Sequence, residues 1–321
     1  MIRQAGAANP DLHRVRSDRY LSFSLGVPRR CCRARTPISP SEGEGVVQYN
    51  LADLHTHSFC SDGLRTPTQA VEEAAAAGVR VLSLTDHDTV EGVPEALDAG
   101  ATLGLEVLPG TELSAHIEDR EVHLLAYCLD YRSPRLASYV KLVHQRRHDR
   151  GAAIVQRLNQ LGVEVTLDEI LVRADGSPLG RPHIAAAMVA TGAVSNKEEA
   201  FSRFIGDRRP ADVPKPRTPS ADVIAMVHEL GGVVLLAHPG LSVSDAAIQS
   251  LVDVGLDGVE VFHPSHQPPQ IEHLNELASR LELLTSGGSD SHGESYGARI
   301  GDCGIGCEAV EALRVRAARY A

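Results

Sequence analysis

The chain has 321 residues and a formal net charge of −11, with 43% hydrophobic and only 4% aromatic residues. That length accommodates one large α/β domain, either alone or carrying an insertion. The first 50 residues hold eight arginines and four acidic residues, a net charge of +4, so the remainder carries −15. An acidic body argues against binding to duplex nucleic acid, which depends on neutralising many phosphates with lysine and arginine.

Residues 1–45 are rich in Arg, Pro, Ser and Gly and show no hydrophobic periodicity. We expect either a disordered N-terminal tail or an incorrectly assigned start codon. This segment lacks the apolar core of a signal peptide, and no apolar run reaches transmembrane length, so no membrane association is expected. No Cys-x-x-Cys pair occurs, and Cys303 and Cys307 are expected to be buried thiols rather than a disulfide or a zinc site. Together these features predict a cytoplasmic protein.

From Val46 onward, apolar β-rich runs alternate with helical patterns. Strands are predicted, in chain order, at 46–54, 79–85, 106–109, 121–129, 233–237, 258–262 and 283–286. Helices are predicted between them at 69–77, 93–100, 221–230, 245–254 and 269–281. The first helix has a good start signal, because Thr66, Pro67 and Gln69 supply an N-cap, a proline in the first turn and a capping-box partner. Repeated βα units predict a parallel sheet, and seven strands predict a barrel.

Residues 134–212, between the fourth and fifth predicted strands, show helical patterns and no convincing strand. One helix is predicted over 136–161 with a break near Gly151, and two more begin at capping boxes that start at Thr166 and Ser195. We therefore predict three parts. These are a disordered tail (1–45), a metal-binding barrel (46–133 and 213–321) and an inserted helical lobe (134–212) over the mouth of the barrel.

Histidine and acidic residues recur directly after the predicted strands. In chain order they are His55, His57, Asp62, His87, Glu112, His123, His238, Asp290 and His292. Strand ends are where open α/β and barrel folds build their sites. Residues i and i+2 of a strand point the same way, so His55 and His57 can reach one metal together. Taken singly, each residue could instead cap a helix or lie in a turn; Asp86 and Asp88, which flank His87, could both cap the next helix.

Imidazole and carboxylate ligands suit zinc, manganese or iron, and the absence of cysteine among them disfavours a structural zinc site. A carboxylate that bridged two cations about 3.5–4 Å apart would let both hold one phosphoryl group, and water bound there would become the nucleophile. The pattern therefore predicts a metallohydrolase.

The same residues resemble the motif set of the PHP (polymerase and histidinol phosphatase) family across residues 50–300. The resemblance implies a distorted (β/α)7 barrel with two or three divalent cations, Mn²⁺ foremost and Zn²⁺ or Fe²⁺ as alternatives. Three ligand sets are implied: His55, His57, Glu112 and Asp290; Glu112, His123 and His238; and Asp62, His87 and His292. It also implies catalytic roles for Glu112, Asp290 and His266, with hydrolysis by a hydroxide that bridges the metals.

Segments 108–114, 122–127, 180–185 and 236–240 are similar to stand-alone phosphoesterases of the family that act on 3′,5′-bisphosphonucleotides and short 5′-phosphorylated RNA. This similarity implies a small phosphorylated nucleotide or short RNA as substrate. The implied substrate-binding residues are Arg181, His183, Lys215 and Arg217, although each could instead be a surface residue. His263 departs from the aromatic or amide residue expected at its position.

Two other functions stay open at this point. A phosphatase for histidinol phosphate or another small monoester would share the metals. A non-catalytic, metal-binding PHP module would be expected to have lost ligands, whereas this chain keeps all nine.

Overall fold

The computed structural model describes residues 51–174, 176, 178–240, 242–293 and 297–321. The predicted tail, 1–45, and the predicted first residues of the opening strand lie outside the described residues. The strands are β1 (Leu51–Thr56), β2 (Val81–Leu84), β3 (Glu106–Val107), β4 (Gly110–Ile117), β5 (Arg120–Tyr127), β6 (Val233–Leu236), β7 (Gly258–Phe262), β8 (Leu284–Gly287) and β9 (Ile305–Gly306).

The helices are α1 (Pro67–Ala76), α2 (Val93–Leu103), α3 (Pro134–Gln160), α4 (Leu167–Ala174), α5 (Arg181–Ala190), α6 (Lys197–Ala200), α7 (Ser220–Glu229), α8 (Asp245–Asp253), α9 (Pro268–Arg280) and α10 (Glu308–Ala317). A π-helical turn, Phe201–Ile205, follows α6. Among the described residues, no helix is both long and apolar enough to cross a membrane.

The helix starts follow local side-chain chemistry. The predicted capping box of α1 is present, because Thr66 Oγ1 accepts from the Gln69 amide and the Gln69 side chain accepts from the Thr66 amide. The cap predicted at Ser195 is wrong by one residue, since the Asn196 side chain accepts the Glu199 amide hydrogen and caps α6. An amide oxygen at that position satisfies a free N–H of the first turn directly.

The strands form two sheets, ordered β3-β2-β1-β9 and β4-β5-β6-β7-β8. β1–β2, β2–β3, β6–β7 and β7–β8 are parallel, but β1–β9, β4–β5 and β5–β6 are antiparallel. The prediction of a wholly parallel sheet is therefore wrong. β4 was predicted as a connection, but it folds back on β5 through a tight turn at Glu118 and Asp119, where Glu118 adopts a φ of 52°.

Two isolated bridges connect the ends of β1 and β2 with the second sheet. Thr56 pairs with Ser291, and His87 pairs with Glu112. The architecture is thus mixed α/β, with two sheets that meet at two seams, one at each of these bridges. The (β/α)7 barrel stays a prediction. Both seams lie beside predicted metal ligands, which places the candidate site at the junction of the sheets.

The segment between β5 and α7 has an apolar core of its own. Its most buried members are Ile154, Leu158, Ile170, Ile184 and Met188. Separate clusters pack the other helices against the two sheets.

Helix α3 runs through Gly151 without the predicted break. A Cβ atom at this position would lie 2.2 Å from Leu179 Cδ2, so the glycine allows the chain before α5 to pack closely on the helix. The glycine therefore serves close packing rather than a change of direction.

Candidate metal centre

The nine predicted ligands converge where the two sheets meet. β1 and its end supply two of them, β4 and β5 one each, and loops the rest. Four groups place their ligand atoms within 4.8 Å of one another: His57, Asp62, His87 and His292; His55, His238 and Asp290; His55, His57 and Glu112; and His87, Glu112 and His123. Every predicted ligand belongs to at least one group.

The carboxylate of Glu112 lies at the centre of this cluster and is fully buried. Its Oε2 atom faces three imidazole nitrogens, with His55 at 3.2 Å, His57 at 3.3 Å and His87 at 3.2 Å. Its Oε1 atom faces two others, with His123 at 2.8 Å and His238 at 3.1 Å. Because the two oxygens face different imidazoles, Glu112 has the arrangement of a carboxylate that bridges two cations.

Asp290 closes the cluster from the loop after β8. Its Oδ1 atom lies 3.0 Å from His57 Nε2 and 3.3 Å from His55 Nε2. Asp290 has a φ of 50°, and His238 has a φ of 27°. Non-glycine residues in the left-handed region are uncommon and cluster at functional sites, where the surrounding structure holds them in place.

Asp62 forms the opposite end of the cluster. Its Oδ1 atom lies 3.3 Å from His292 Nε2, and its Oδ2 atom lies 3.9 Å from His87 Nε2. The loop that carries Asp62 is held by Asp86, whose carboxylate accepts hydrogen bonds from the Ser58 amide, the Ser58 hydroxyl and the Ser61 hydroxyl, each at 2.7 Å. Asp86 therefore anchors a ligand loop and does not cap a helix.

The buried ring nitrogens of this cluster fit metal binding. Both ring nitrogens of His57, and Nδ1 of His87 and of His123, make no hydrogen bond of good geometry in the described part of the chain, although three of the four lie within 3.3 Å of a carboxylate oxygen. Buried polar atoms are nearly always satisfied, so such a concentration calls for an additional partner. Imidazole and carboxylate donors without cysteine suit Zn²⁺, Mn²⁺ or Fe²⁺. The residues present therefore fit a cluster of divalent cations.

Without cations, the charges of the histidines and of the carboxylates shift one another's pKa values. Burial works to lower the pKa of His57, but Asp290 and Glu112 raise it to about 10. Burial likewise works to lower the pKa of His123, but the Glu112 carboxylate raises it to about 9. For His87, burial prevails and lowers the pKa to about 4. Burial alone would raise the pKa of Glu112, yet the surrounding histidines hold it well below its usual range.

Glu260 is a site residue that the sequence analysis missed. Its Oε1 atom lies 2.9 Å from His55 Nδ1, and its Oε2 atom accepts the His238 amide hydrogen at 2.7 Å. A carboxylate on the far nitrogen of a ligand histidine fixes the ring so that the other nitrogen points at the metal. The available signal was an acidic residue inside the otherwise apolar strand β7.

His263 also joins the site. Its Nε2 atom lies 3.2 Å from Asp290 Oδ2, and its Nδ1 atom lies 2.8 Å from Ser265 Oγ. The ring is 7% exposed. The resemblance to the PHP family predicts an aromatic or amide residue at this position. The histidine found there contacts a predicted ligand directly.

His266 lies behind this histidine and is fully buried. Its Nδ1 atom lies 2.9 Å from the Val261 carbonyl oxygen, and its Nε2 atom accepts from the Gly240 amide at 3.0 Å. The catalytic role predicted for His266 stays a prediction, and these main-chain contacts favour a role in holding the loop that follows His238.

A cleft of about 220 Å³ opens beside the metal ligands. One side is formed by Ser61, Asp62, His87 and His123. The other side is basic and aromatic, formed by Arg147, Arg150, Pro178, Gly180, Arg181, Pro182, His183, Phe201 and Lys215. Helices α3 and α5 and the π-helical turn thus face the ligand cluster across one cleft.

Arg147 is the second site residue that the sequence analysis missed. Its Nε atom donates to Asp88 Oδ2 at 3.1 Å, and Nη2 binds the same oxygen. Asp88 also accepts from the amide and the hydroxyl of Ser114, both at 2.8 Å. Asp88 therefore ties α3 to β4, two residues beyond Glu112, rather than capping the next helix.

Three of the predicted substrate-binding residues line the cleft. Arg181 Nη1 donates to Asp207 Oδ1 at 2.7 Å and to the Ile205 carbonyl at 3.3 Å. His183 Nδ1 accepts from the Gly180 amide at 3.1 Å, which completes the start of α5. Lys215 forms an ion pair with Glu121.

The fourth predicted substrate-binding residue is placed differently. Arg217 pairs with Asp119 at 2.6 Å, and its side chain is 64% exposed. It is not among the residues that line the cleft. Its role in substrate binding stays a prediction that this position does not favour.

A cluster of imidazoles around a central carboxylate, opposite an arginine-lined cleft, defines a metal-dependent phosphoesterase. The sequence model of the PHP domain matches residues 53–182. The chain belongs to the PHP family.

Three relatives cover most of this chain. A 5′-3′ exoribonuclease of Haemophilus influenzae is 34% identical over 245 residues, which is 75% of this chain and 89% of the relative. A phosphoribosyl 1,2-cyclic phosphate 1,2-diphosphodiesterase of Eggerthella lenta is 35% identical over 250 residues, 76% of this chain and 95% of the relative. A 3′,5′-nucleoside bisphosphate phosphatase of Chromobacterium violaceum is 31% identical over 253 residues, 77% and 89% of the two chains.

A solved structure shares the fold. A predicted metal-dependent phosphoesterase of Bifidobacterium adolescentis superposes with a TM-score of 0.76 at 34% identity, covering 85% of this chain and 98% of that one.

Proposed function

We propose that the protein hydrolyses phosphate esters of nucleotides, either 3′,5′-bisphosphonucleotides or short 5′-phosphorylated RNA. The observation that carries this proposal is the single cleft that places the ligand cluster opposite Arg147, Arg150, Arg181 and Lys215. A substrate with one phosphate at the ligands and another negative group against the basic wall would satisfy both sides. The three relatives act, by their names, on RNA, a nucleoside bisphosphate and a phosphoribosyl cyclic phosphate, which supports this class.

The nine ligands would hold two or three divalent cations, with Mn²⁺ as our first choice. Bound cations would supply Lewis-acid activation of a phosphoryl oxygen and of water. Glu112 and Asp290 would be the central carboxylates of the catalytic centre. Glu260 would keep His55 oriented, through the contact at 2.9 Å.

The basic wall would bind and orient the substrate. A guanidinium group presents paired N–H donors that match phosphate oxygens, and it stays charged at any working pH. Asp88 holds the Arg147 guanidinium from one side, which limits its motion at the cleft. Residues 134–212 would form the lobe that supplies this wall, on a barrel formed by 46–133 and 213–321. Cys60, Cys128 and Cys307 are free thiols, which fits the cytoplasm as the proposed compartment.

A chelator experiment tests the dependence on metal. Metal-stripped protein should lose phosphatase activity, and added Mn²⁺ should restore it. Full activity in protein shown by elemental analysis to be metal-free would refute the proposed chemistry. A side-by-side assay then tests the substrate, using 3′-phosphoadenosine 5′-phosphate, a 5′-phosphorylated RNA dinucleotide, phosphoribosyl 1,2-cyclic phosphate and histidinol phosphate. Preference for the last compound would favour the small-monoester alternative, and inactivity on all four would favour a non-catalytic module.

A variant pair tests the basic wall. Arg181→Ala should lower kcat/KM for nucleotide substrates more than for p-nitrophenyl phosphate, because the arginine lines the cleft. Arg217→Ala is the matched control, since it removes the same charge from an exposed position outside the cleft lining. Equal effects of the two substitutions would assign Arg181 a structural role only.

A further inference from the structure

An aromatic ring lies in the cleft wall opposite the metal ligands. Phe201 lines the same cleft as Asp62, His87 and His123, and it is only partly buried where it packs on the core of the inserted segment. Aromatic residues are scarce in this chain, which has five phenylalanines and no tryptophan. A phenylalanine left partly exposed in a polar cleft offers an apolar, aromatic surface to a ligand bound there.

The backbone around Phe201 is unusual. Residues Phe201–Ile205 form a π-helical turn, which closes where the Gly206 amide donates to the Phe201 carbonyl at 2.9 Å. A Cβ atom at Gly206 would lie 2.4 Å from that carbonyl oxygen, so the closure depends on glycine. Single π-helical turns are rare and often occur at functional sites.

The same turn also positions Arg181. The Ile205 carbonyl and the Asp207 carboxylate both accept from Arg181 Nη1. The guanidinium carbon then lies 5.7 Å from the centroid of the Phe201 ring. Phe201 and Arg181 thus form a combined aromatic and cationic surface, which we call the stacking platform.

We propose that the stacking platform binds the nucleobase of the substrate, so that Phe201 determines the preference for nucleotides over base-free sugar phosphates. This inference rests on the proposed function. Every nucleobase presents a flat π-face that stacks on aromatic rings and guanidinium planes with little regard to sequence. A platform in the same cleft as the metal ligands would receive a base while a phosphate of that nucleotide occupies the ligand side.

The test compares two phenylalanines of the same turn on two substrates. Phe201→Leu removes the aromatic face, whereas Phe204→Leu makes the same change at a residue that packs on the same core and does not line the cleft. The substrates are 3′-phosphoadenosine 5′-phosphate and its base-free analogue, 1-deoxyribose 3,5-bisphosphate, which keeps the 2-hydroxyl. The measured quantity is the ratio of their kcat/KM values with Mn²⁺-loaded protein.

Phe201→Leu should lower this ratio about tenfold, the order expected for loss of one stacked base, and Phe204→Leu should leave it within about twofold of the wild type. Phe201→Tyr keeps an aromatic face and should retain most of the preference. If circular dichroism shows that Phe201→Leu does not fold, Phe201→Met takes its place. An unchanged ratio in Phe201→Leu, or an equal fall in Phe201→Tyr, would overturn the stacking proposal. Failure of the wild type to hydrolyse these compounds and a 5′-phosphorylated RNA dinucleotide would instead overturn the proposed function.

Discussion

Replacing Glu112 with glutamine tests the bridging arrangement at the centre of the site. Glutamine keeps the shape of the side chain but converts one carboxylate oxygen into an N–H donor that cannot bind a cation. The three imidazoles within 3.3 Å of Oε2 and the two within 3.1 Å of Oε1 then all lose their anionic neighbour, and one of the two sets also faces an N–H group in place of an oxygen. One cation per molecule should be lost, and kcat/KM should fall by a factor of about 10³ or more, which corresponds to about 4 kcal/mol of transition-state stabilisation.

Elemental analysis of the purified variant gives the metal content, and steady-state kinetics on 3′-phosphoadenosine 5′-phosphate gives the loss of rate. Glu121→Gln is the matched control, because Glu121 lies 3.9 Å from His123 and pairs with Lys215 without entering the central cluster. It should keep the full metal content and lose about tenfold in rate at most. Wild-type metal content and near-normal turnover in Glu112→Gln would refute the bridging role.

Three further predictions address the support of the site. Glu260→Gln should weaken metal affinity about 10- to 100-fold by releasing the His55 ring, and unchanged affinity in a competition titration would contradict this role. His57 and His123, whose pKa values rise to about 10 and about 9, and His55, whose pKa is held, against the effect of burial, well above its usual value by Glu260, Asp290 and Glu112, are protonated at pH 7 without cations. Metal binding should therefore release about three protons. Calorimetry in buffers of different ionisation enthalpy measures that release, which should fall as the pH rises through 9 to 10; a release independent of pH would count against it. Gly151→Ala brings a methyl group against a leucine side chain 2.2 Å away and should destabilise the fold by about 1–3 kcal/mol in urea denaturation, whereas a gain in stability would show that α3 relaxes freely.

The sequence singled out nine residues that the fold brings together, because the strands before several of them are locally unambiguous. β2 and β6 are short, fully buried apolar runs, so the polar residues that follow them are easily assigned to strand ends. β4 was missed although polar and apolar residues alternate along Gly110–Ile117, a pattern typical of a strand. Glu112, which lies on β4, was nevertheless singled out, because it follows the predicted strand at 106–109 whether or not β4 itself is recognised.

Other parts of the site depend on contacts between distant positions. Asp88 and Arg147 are 59 residues apart, and nothing local to either one indicates the pair. Glu260 and His55 are separated by 205 residues, and only the folded chain brings them together. The platform at Phe201 likewise requires a π-helical turn, and the spacing of hydrophobic residues in the sequence does not predict such a turn. Such residues become recognisable only when packing, rather than local propensity, decides where they lie.

The seam between the two sheets gives bound cations a mechanical role. Four donors, His55, His57, Asp62 and His87, come from the first sheet or its loops, and the other five come from the second sheet or its loops. In the described part of the chain, two isolated bridges pair the backbone across this boundary, and one of them joins His87 to Glu112. A cation held by both sides would therefore act as a clamp between the two halves. The concentration of free metal would then determine the stability of the fold as well as the catalytic rate, because each bound ion must leave before the two halves can separate.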